Sequence, residues 1–424
     1  MNLIRDDKEE NSKYLSLPLL FGFMLIAFIL FALRRPDIIM HAQPWAEDGR
    51  VWMAGIYNNG FWASLILPQN GYYQTISRLT YGISIFFGLS HAALYANVIA
   101  ILLRCFLIGF ILSKRMNFIE IKYRFALAFY IILMPNVAEG FVNITNSHWY
   151  LSMYLLAIVI AKEAETTSQK IHDFILLIVS GLSGPFVVFI APCLLIKRIS
   201  NRGGIVNAIR QINLFDLTMA ACCIIQIVAI LTTSEATRPN SPLGYNFGLL
   251  ADIISCRIIY GSFMPFEMAR IMASHGNINV VIFIILCIIL IFSFFKYGWR
   301  IKTLVLFPVL MIGFALARPV IAMDQPQWPL IFNTESGERY FYVTNIALAS
   351  LAISLISVLP KYKNFTLSAG FIIFLVLTPK SFRLPNLPDV GYINDIQRFE
   401  KVATGQKMDI KILPPGWTMT LQKK

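Results

Sequence analysis

The stretch IHDFILLIVSGLSGPFVVFIAPCLLI, from Ile171 to Ile196, decides how the chain threads a membrane. Its apolar length is enough for one crossing, because about 20 helical residues span the hydrocarbon core. However, SGLSGP (Ser180 to Pro185) divides it into halves of about 12 residues, and a helix of that length rises only about 18 Å. Glycine and proline break helices. The stretch therefore predicts a re-entrant hairpin at 171–196, buried by other helices.

Apolar runs recur along the rest of the chain. Of its 424 residues 57% are hydrophobic and only 14% are charged, whereas about a quarter is usual in soluble proteins. The composition predicts an all-α polytopic membrane protein with nine spans, at residues 16–33, 92–113, 123–137, 148–162, 213–233, 278–296, 303–318, 341–359 and 364–378. The net charge of +13 is dispersed through the loops, so membrane lipids are the expected partner and nucleic acid is not.

Basic residues predict the orientation of the spans. Lysines and arginines flank both sides of the 171–196 hairpin, whereas the loop at 136–147 has neither. By the positive-inside rule, the hairpin flanks and the N-terminus are cytoplasmic and the C-terminus is outside. The tail after residue 378 opposes this scheme with eight basic residues, but only Lys380, Arg383 and Arg398 lie within about 20 residues of the last span.

The predicted domain organisation has two parts. Residues 1–378 form the transmembrane domain and residues 379–424 an outward tail. Three further segments face outward, at residues 34–91, 234–277 and 318–340. Within them, residues 74–89 and 250–263 mix apolar and polar side chains at helical spacing, which predicts amphipathic helices on the membrane surface.

HAQPWAEDGR, from His41 to Arg50, places two adjacent carboxylates, Glu47 and Asp48, just after the first span. Their flanks are apolar, so solubility alone does not explain them. A carboxylate at a desolvated membrane rim has a raised pKa and can act as a general base towards a hydroxyl. Two structural interpretations stay open: Asp48 as the N-cap of a helix that starts at Gly49, and Glu47 paired with Arg34, Arg35 or Arg50.

The later outward segment adds cationic candidates. ARPVIAMDQPQW (317–328) and SGERYFYV (336–343) contain Arg318, Asp324, Arg339 and Tyr340 at the rim of the later spans. Arginine binds phosphate through a fork of charge-assisted hydrogen bonds, although at a span boundary it also extends to headgroups. A base on one side and arginines on the other would suit a donor whose leaving group is an anionic phosphate.

Two other residues are candidates for substrate contacts. His148, in NITNSHW (143–149), could hydrogen-bond a sugar or be structural. Trp417, in PPGW near the C-terminus, could stack on a sugar or lipid, or anchor the chain at the interface.

Four short motifs carry a family resemblance: PWAEDG (44–49), GYYQTISRL (71–79), GERYF (337–341) and LPPGWTM (413–419). With the acidic loop after the first span, they resemble GT-C glycosyltransferases, and more narrowly the bacterial and phage-encoded O-antigen glucosyltransferases. The resemblance implies a GT-C-like fold with nine spans, a re-entrant hairpin and a periplasmic C-terminus, in the bacterial inner membrane. The donor would be an undecaprenyl-phosphate-linked sugar, glucose by resemblance, and the acceptor an O-antigen or other glycan.

The resemblance also implies roles for residues. The base falls on Glu47 or Asp48, and the order Glu-Asp, where some relatives have Asp-Glu, leaves the choice open. Arg339 best matches the phosphate-binding arginine, with Arg318 and Tyr340 beside it; Arg50, Asp324, His148 and Trp417 are the further candidates. Some GT-C enzymes use a divalent metal, but the sequence has no dedicated multi-carboxylate cage, so no metal is assigned.

Two other functions fit parts of the sequence. A broken helix such as the one at SGLSGP is also a feature of transporters, which predicts a flippase for lipid-linked sugars. Charges within the spans, mainly Arg104 and Asp216, are scarce for that role. An O-antigen polymerase or ligase would share the outward arginines but would concentrate its chemistry in a late outward loop.

Overall fold

The computed structural model describes residues 13–233, 241–357, 359, 361–377 and 379–424. The N-terminal residues 1–12 and part of the second predicted outward segment, 234–240, lie outside the described residues. The protein is mostly helical, at 70%. In the first half the helices are α1 (Leu17–Arg34), α2 (Asp37–Met40), α3 (Ala54–Asn59), α4 (Phe61–Leu65), α5 (Thr75–Ser84), α6 (Leu89–Leu112), α7 (Ile121–Leu133), α8 (Ser147–Ile160), α9 (Thr167–Gly181) and α10 (Phe186–Asn201).

The second half continues with helices and ends in two strands. The helices are α11 (Ile205–Arg210), α12 (Leu214–Thr232), α13 (Phe247–Ile253), α14 (Phe266–Met272), α15 (Gly276–Lys296), α16 (Trp299–Ala317), α17 (Gln327–Asn333), α18 (Tyr342–Ser357), α19 (Lys363–Leu377), α20 (Pro379–Phe382) and α21 (Tyr392–Glu400). The strands are β1 (Lys407–Ile412) and β2 (Trp417–Gln422). Two π-helical turns, Asp48–Met53 and Ile254–Tyr260, lie in the predicted outward segments.

Six helices of the described residues are long and apolar enough to cross a membrane: α1, α6, α12, α15, α16 and the continuous segment Glu338–Ser357 that contains α18. They make this a helical membrane protein. The other three predicted spans fall on α7, α8 and α19, with 13, 14 and 15 residues. At 1.5 Å per residue each rises about 20 to 23 Å, less than the hydrocarbon core. Every residue of α8 is buried, so this helix is surrounded by protein.

The 171–196 stretch breaks where its sequence predicts. Residues 182–185 separate α9 from α10, and Gly184 has a φ of +99°. The two helices have 15 and 16 residues, longer than the predicted halves because they continue into polar residues at both outer ends. Those ends meet: Glu163, just before α9, pairs with Lys197 and Arg198 of α10 at 2.9 and 3.0 Å. The two helices therefore form a hairpin.

The tip of this hairpin reaches the first predicted outward loop. Gly184 N–H donates to the carbonyl of Tyr73 at 2.8 Å, and Ile76 N–H donates to the Ser183 hydroxyl at 2.8 Å. The following helix, α5, was predicted to lie on the membrane surface, and its helical prediction is right. Seven of its ten residues are buried, however, because α6, the acidic loop and the hairpin tip pack around it. The second such segment, 250–263, is the end of α13 and a π-helical turn.

The C-terminal tail adds a two-stranded β-hairpin, which the sequence did not predict, to an otherwise helical fold. β1 and β2 form an antiparallel hairpin in which Lys407 lies opposite Gln422 and Ile412 opposite Trp417. Side chains alternate between the faces of a strand, and Ile410 and Met419 at the centre of the apolar face are fully buried. This face packs against α21 and against α3 of the first loop. The strands were not predicted because their alternation of apolar and polar residues is short and lies in a segment that is polar overall.

Candidate active site

The acidic motif is held by the tail. Leu413 pairs with the motif on both sides: its N–H donates to the carbonyl of Pro44 at 3.0 Å, and its carbonyl accepts from Ala46 N–H. Ala46 has a φ of +43°, a conformation that non-glycine residues rarely adopt. A side chain on Gly49 would begin 2.9 Å from the Ile412 side chain and 3.1 Å from Pro44. The two motifs PWAEDG and LPPGWTM thus form one packed unit.

Asp48 is a buried anchor for the segment that precedes α8. Its side chain accepts hydrogen bonds from the N–H groups of Ile144 and Thr145, at 3.1 and 2.9 Å, and from the Thr145 hydroxyl. The Thr145 hydroxyl in turn accepts from the Trp52 indole at 2.8 Å. The N-cap interpretation is wrong: Asp48 is itself the first residue of the π-helical turn, and its carboxylate bonds a segment 96 residues away.

The environment of Asp48 sets its ionisation. The residue is 1% exposed, and burial, which penalises the charged form, raises the pKa of its carboxyl to about 7 in spite of the three hydrogen bonds to Ile144 and Thr145. Asp48 is therefore poised between the neutral and the charged form near neutral pH.

Glu47 has a different environment. It is half-buried, and its carboxylate accepts no hydrogen bond from any residue that the structure describes. The proposed ion pairs are wrong, because Arg34 and Arg35 donate instead to main-chain carbonyls such as those of Ile132 and Phe141. Arg50 lies over the Trp417 ring, 5.6 Å from its centroid. The Glu47 carboxylate is therefore available to a ligand.

Arg339 is held in place by several partners. Its guanidinium pairs with the Glu139 carboxylate and donates to the Val320 carbonyl at 2.7 Å and to the Tyr340 hydroxyl at 3.2 Å. The main-chain N–H of Arg339 donates to the Glu139 carboxylate at 3.2 Å. Glu47 interacts electrostatically with the Arg339 guanidinium. Part of the guanidinium that was predicted to bind phosphate is thus already bonded to Glu139.

Sequence analysis missed Glu139. It is the only charged residue in the 136–147 loop, whose charge entered the topology prediction only as a lack of lysine and arginine. A single carboxylate in such a loop could have been noted as a partner for an arginine. Its pairing with Arg339, 200 residues further along the chain, leaves no local pattern.

One cavity of about 790 Å³ brings the motifs together. Each of the four resemblance motifs contributes to its lining, through Trp45 and Glu47, Tyr72 and Gln74, Arg339 and Tyr340, and Pro414 and Trp417. Arg50, Arg318 and His148 line it as well. The charged lining residues are three arginines and two glutamates, which leaves an excess of one positive charge. Ligand sites commonly have volumes of about 300 to 1,000 Å³.

Two predicted site residues are not in the lining. Asp48 lies behind it, bonded to the segment that precedes α8, and Asp324 is exposed to solvent outside it. His148 is in the lining but buried, with its ring stacked on Phe186 at 5.4 Å and its Nδ1 bonded to the Thr145 carbonyl. The structural interpretation of His148 accounts for these contacts.

The cavity also has an apolar side. Phe186 and Phe189 of α10 and Met311 and Phe314 of α16 form it, and the rings of Phe189 and Phe314 are 5.3 Å apart. Of the two, α16 is one of the six helices long and apolar enough to cross a membrane. The cavity thus joins a charged end, formed by loops, to an aromatic wall formed by helices.

Two further observations bear on this site. In the part of the chain that the structure describes, no group of three or more histidine, cysteine, aspartate or glutamate residues could hold a metal ion. No protein-family model matches the chain, and no curated protein sequence matches it.

Proposed function

We propose that the protein is an inverting GT-C-type glycosyltransferase that moves a sugar, by resemblance glucose, from undecaprenyl phosphate to a glycan acceptor such as O-antigen. The observation that carries this proposal is the convergence of four distant motifs on one cavity, whose lining combines three arginines with a carboxylate, Glu47, that accepts no hydrogen bond from the described residues. Glu47 and Arg339 are far apart in the chain, and simple membrane anchoring would not require them to line the same cavity.

Glu47 is the proposed general base. It lines the cavity and accepts no bond from described residues, whereas the carboxylate of Asp48 is taken up by Ile144 and Thr145. In the proposed step the acceptor hydroxyl gives its proton to Glu47. The oxygen of the acceptor hydroxyl attacks the anomeric carbon from the face opposite the lipid phosphate, and the bond between that carbon and the phosphate oxygen breaks. A β-linked donor then yields an α-linked product, and undecaprenyl phosphate leaves.

The arginines supply the charge that this leaving group requires. Arg339, Arg318 and Arg50 line the cavity, and guanidinium groups stabilise phosphate oxygens as negative charge develops there. Tyr340 contributes through its hydroxyl, which bonds Arg339 and so fixes the guanidinium. The aromatic wall of α10 and α16 offers an apolar surface to the first isoprene units of the lipid.

The proposed setting is the bacterial inner membrane, with a GT-C-like core of nine spans and the cavity on the periplasmic side. The re-entrant hairpin is part of this proposal, and its tip contributes Pro185 and Phe186 to the cavity. In this arrangement α7, α8 and α19 cross with the support of neighbouring helices, since α8 is fully enclosed by protein. Membrane lipids and the lipid-linked sugar are the expected partners.

The transporter alternative receives less support from the charged residues within the helices. Arg104 donates to the carbonyls of Ala100 and Gly140, and Asp216 pairs with Arg198 and Arg202. These contacts are internal, and the Arg104 guanidinium also lies over the Tyr150 ring, 4.1 Å from its centroid. A substrate pathway through the membrane would instead present its charged residues to a ligand.

The direct test uses purified full-length protein in liposomes that contain undecaprenyl-phosphate glucose, with released O-antigen polysaccharide as acceptor. We expect hexose transfer by the wild-type protein and its loss in Glu47→Gln. Transfer undiminished in Glu47→Gln would refute the assigned base, and no transfer by the wild type with any hexose donor would refute the function. Movement of the intact lipid-linked sugar across the bilayer would instead support a flippase.

A further inference from the structure

A second groove, of about 710 Å³, lies beside the central cavity. The first loop forms one wall, with Asn58, Ser64 and Arg78, and the tail hairpin forms the other, with Asp409 and Thr418. Hydrogen bonds hold the walls together: the Asn58 side chain donates to the carbonyl of Thr420 at 2.9 Å and accepts from Gln422 N–H at 2.9 Å. These bonds fix the tail hairpin against the first loop, and the space between the two is the groove.

The groove and the central cavity share part of their lining. Arg50, Val51, Gln69 and Trp417 contribute to both. The two differ in chemistry, since the groove combines amide, hydroxyl and charged side chains with a few small or aliphatic ones, such as Ala54 and Leu67, and its lining does not include the aromatic wall of the cavity. A ligand that extends along the groove would thus reach the cavity beside Glu47.

Two buried polar groups in the groove each have an atom without a hydrogen-bond partner among the described residues. Arg78 is 3% exposed, its Nε has no hydrogen-bond partner, and its contact is a cation–π interaction with the Trp52 ring, 4.9 Å from the centroid. The Ser64 hydroxyl is fully buried and also unpaired. Burying a charge without compensation is costly, and burial lowers the pKa of Arg78 to about 10, which still leaves it charged at neutral pH.

Gly55 keeps the space in front of these groups open. A side chain there would begin 3.7 Å from the Ser64 hydroxyl and 3.9 Å from Arg78 Nη1. Both polar groups therefore face the same small region of the groove. Because neither has a hydrogen-bond partner among the described residues, they are suited to the oxygen atoms of a ligand.

We propose that this groove binds the carbohydrate chain of the acceptor, with Arg78 and Ser64 bonded to its oxygen atoms and Trp417 at the entrance to the cavity. The identity of the ligand as the acceptor rests on the proposed function. A saccharide fits the lining because its many hydroxyls pair with amides, hydroxyls and a guanidinium. Arg78 acts here as a binding residue and takes no part in the transfer step.

Direct binding tests the groove without relying on transfer. The probe is polysaccharide released by mild acid from the lipopolysaccharide of the strain that carries the protein, titrated calorimetrically into the full chain in detergent. We expect Arg78→Met to bind it about tenfold more weakly, since a hydrogen bond to a charged group is worth about that factor. Gly55→Leu, which fills the groove without removing a charge, should weaken binding as well. Arg398→Met, at a 73% exposed side chain, is the matched control and should bind as the wild type does.

The outcomes separate this inference from the proposed function. Equal affinity in all four proteins, or no binding by the wild type, would overturn the groove assignment. Transfer from the lipid donor is measured on the same preparations. Saccharide binding that depends on Arg78 in a protein without transfer activity would refute the function and leave the groove assignment standing.

Discussion

Glu47 and Asp48 are adjacent in the chain, but their carboxylates meet different surroundings. The Asp48 carboxylate takes three hydrogen bonds from Ile144 and Thr145, whereas Glu47 lines the cavity and accepts none from the part of the chain that the structure describes. Sequence analysis could predict the acidic pair and its place after the first span. It could not separate the two roles, because the partners of Asp48 are almost 100 residues away.

Amide substitutions should separate the roles. In Glu47→Gln we expect transfer to fall by about 100-fold or more, because a general base contributes at least that factor, with thermal stability unchanged. In Asp48→Asn the amide nitrogen would face an N–H donor, so we expect a loss of stability of about 1 to 3 kcal/mol. Activity assays and thermal unfolding of both variants in detergent provide the measurements. The opposite pattern, a stable inactive Asp48→Asn and an active Glu47→Gln, would transfer the base to Asp48.

The raised pKa of Asp48 predicts a pH dependence of stability. The folded carboxyl, with a pKa of about 7, keeps a proton that the unfolded one loses near its ordinary value of 3.8. The folded state therefore binds more protons between about pH 4 and 7, and its stability from this group falls as pH rises through that range. Unfolding temperatures measured from pH 5 to 8 should fall more steeply in the wild type than in Asp48→Asn. Parallel curves would show that Asp48 does not titrate there.

Among the elements, the tail hairpin and the acidic loop depend on each other. Apolar runs predicted where the long helices lie, since length and hydrophobicity are local properties. The strands were missed because their period-two alternation is short and lies in a polar tail, and the Trp45–Leu413 pairing joins segments from opposite ends of the chain. Such long-range pairing is decided by packing, which one sequence does not display.

Gly49 provides a test of this contact. Gly49→Ala would place a methyl group against Ile412 and Pro44, so we expect a loss of about 1 to 3 kcal/mol from overpacking and a loosened tail. Gly22→Ala is the control, because a side chain there meets nothing within 4 Å. Limited proteolysis of the tail, with thermal unfolding, measures both effects. A Gly49→Ala protein as stable and as protease-resistant as Gly22→Ala would contradict the close packing.

For the whole molecule, the structure joins segments that the predicted topology places on one side of the membrane. The cavity takes residues from the first loop, the 136–147 loop, the GERYF motif and the tail. The paired ends of the α9–α10 hairpin lie away from its tip, which contacts that first loop. This separation is what a re-entrant hairpin with both ends in the cytoplasm requires.

Reporter fusions test the predicted orientation. A fusion after Arg202 should read cytoplasmic, and one after Lys424 should read periplasmic, because the tail must reach the acidic loop on the outer side. Full-length chains without the reporter, detected by antibody in intact spheroplasts, control for effects of the fusion. A cytoplasmic tail would exclude a periplasmic cavity.

The proposed activity of the cavity is the transfer of a hexose from a lipid phosphate to a periplasmic glycan. The most direct measurement is the mass of lipopolysaccharide from cells that express the wild-type protein, Glu47→Gln or neither. We expect the lipopolysaccharide to gain the mass of one hexose per O-antigen repeat with the wild type. With Glu47→Gln at equal protein level we expect no gain. An unchanged mass in wild-type cells that make both the lipid donor and O-antigen, or the same gain with Glu47→Gln, would contradict it.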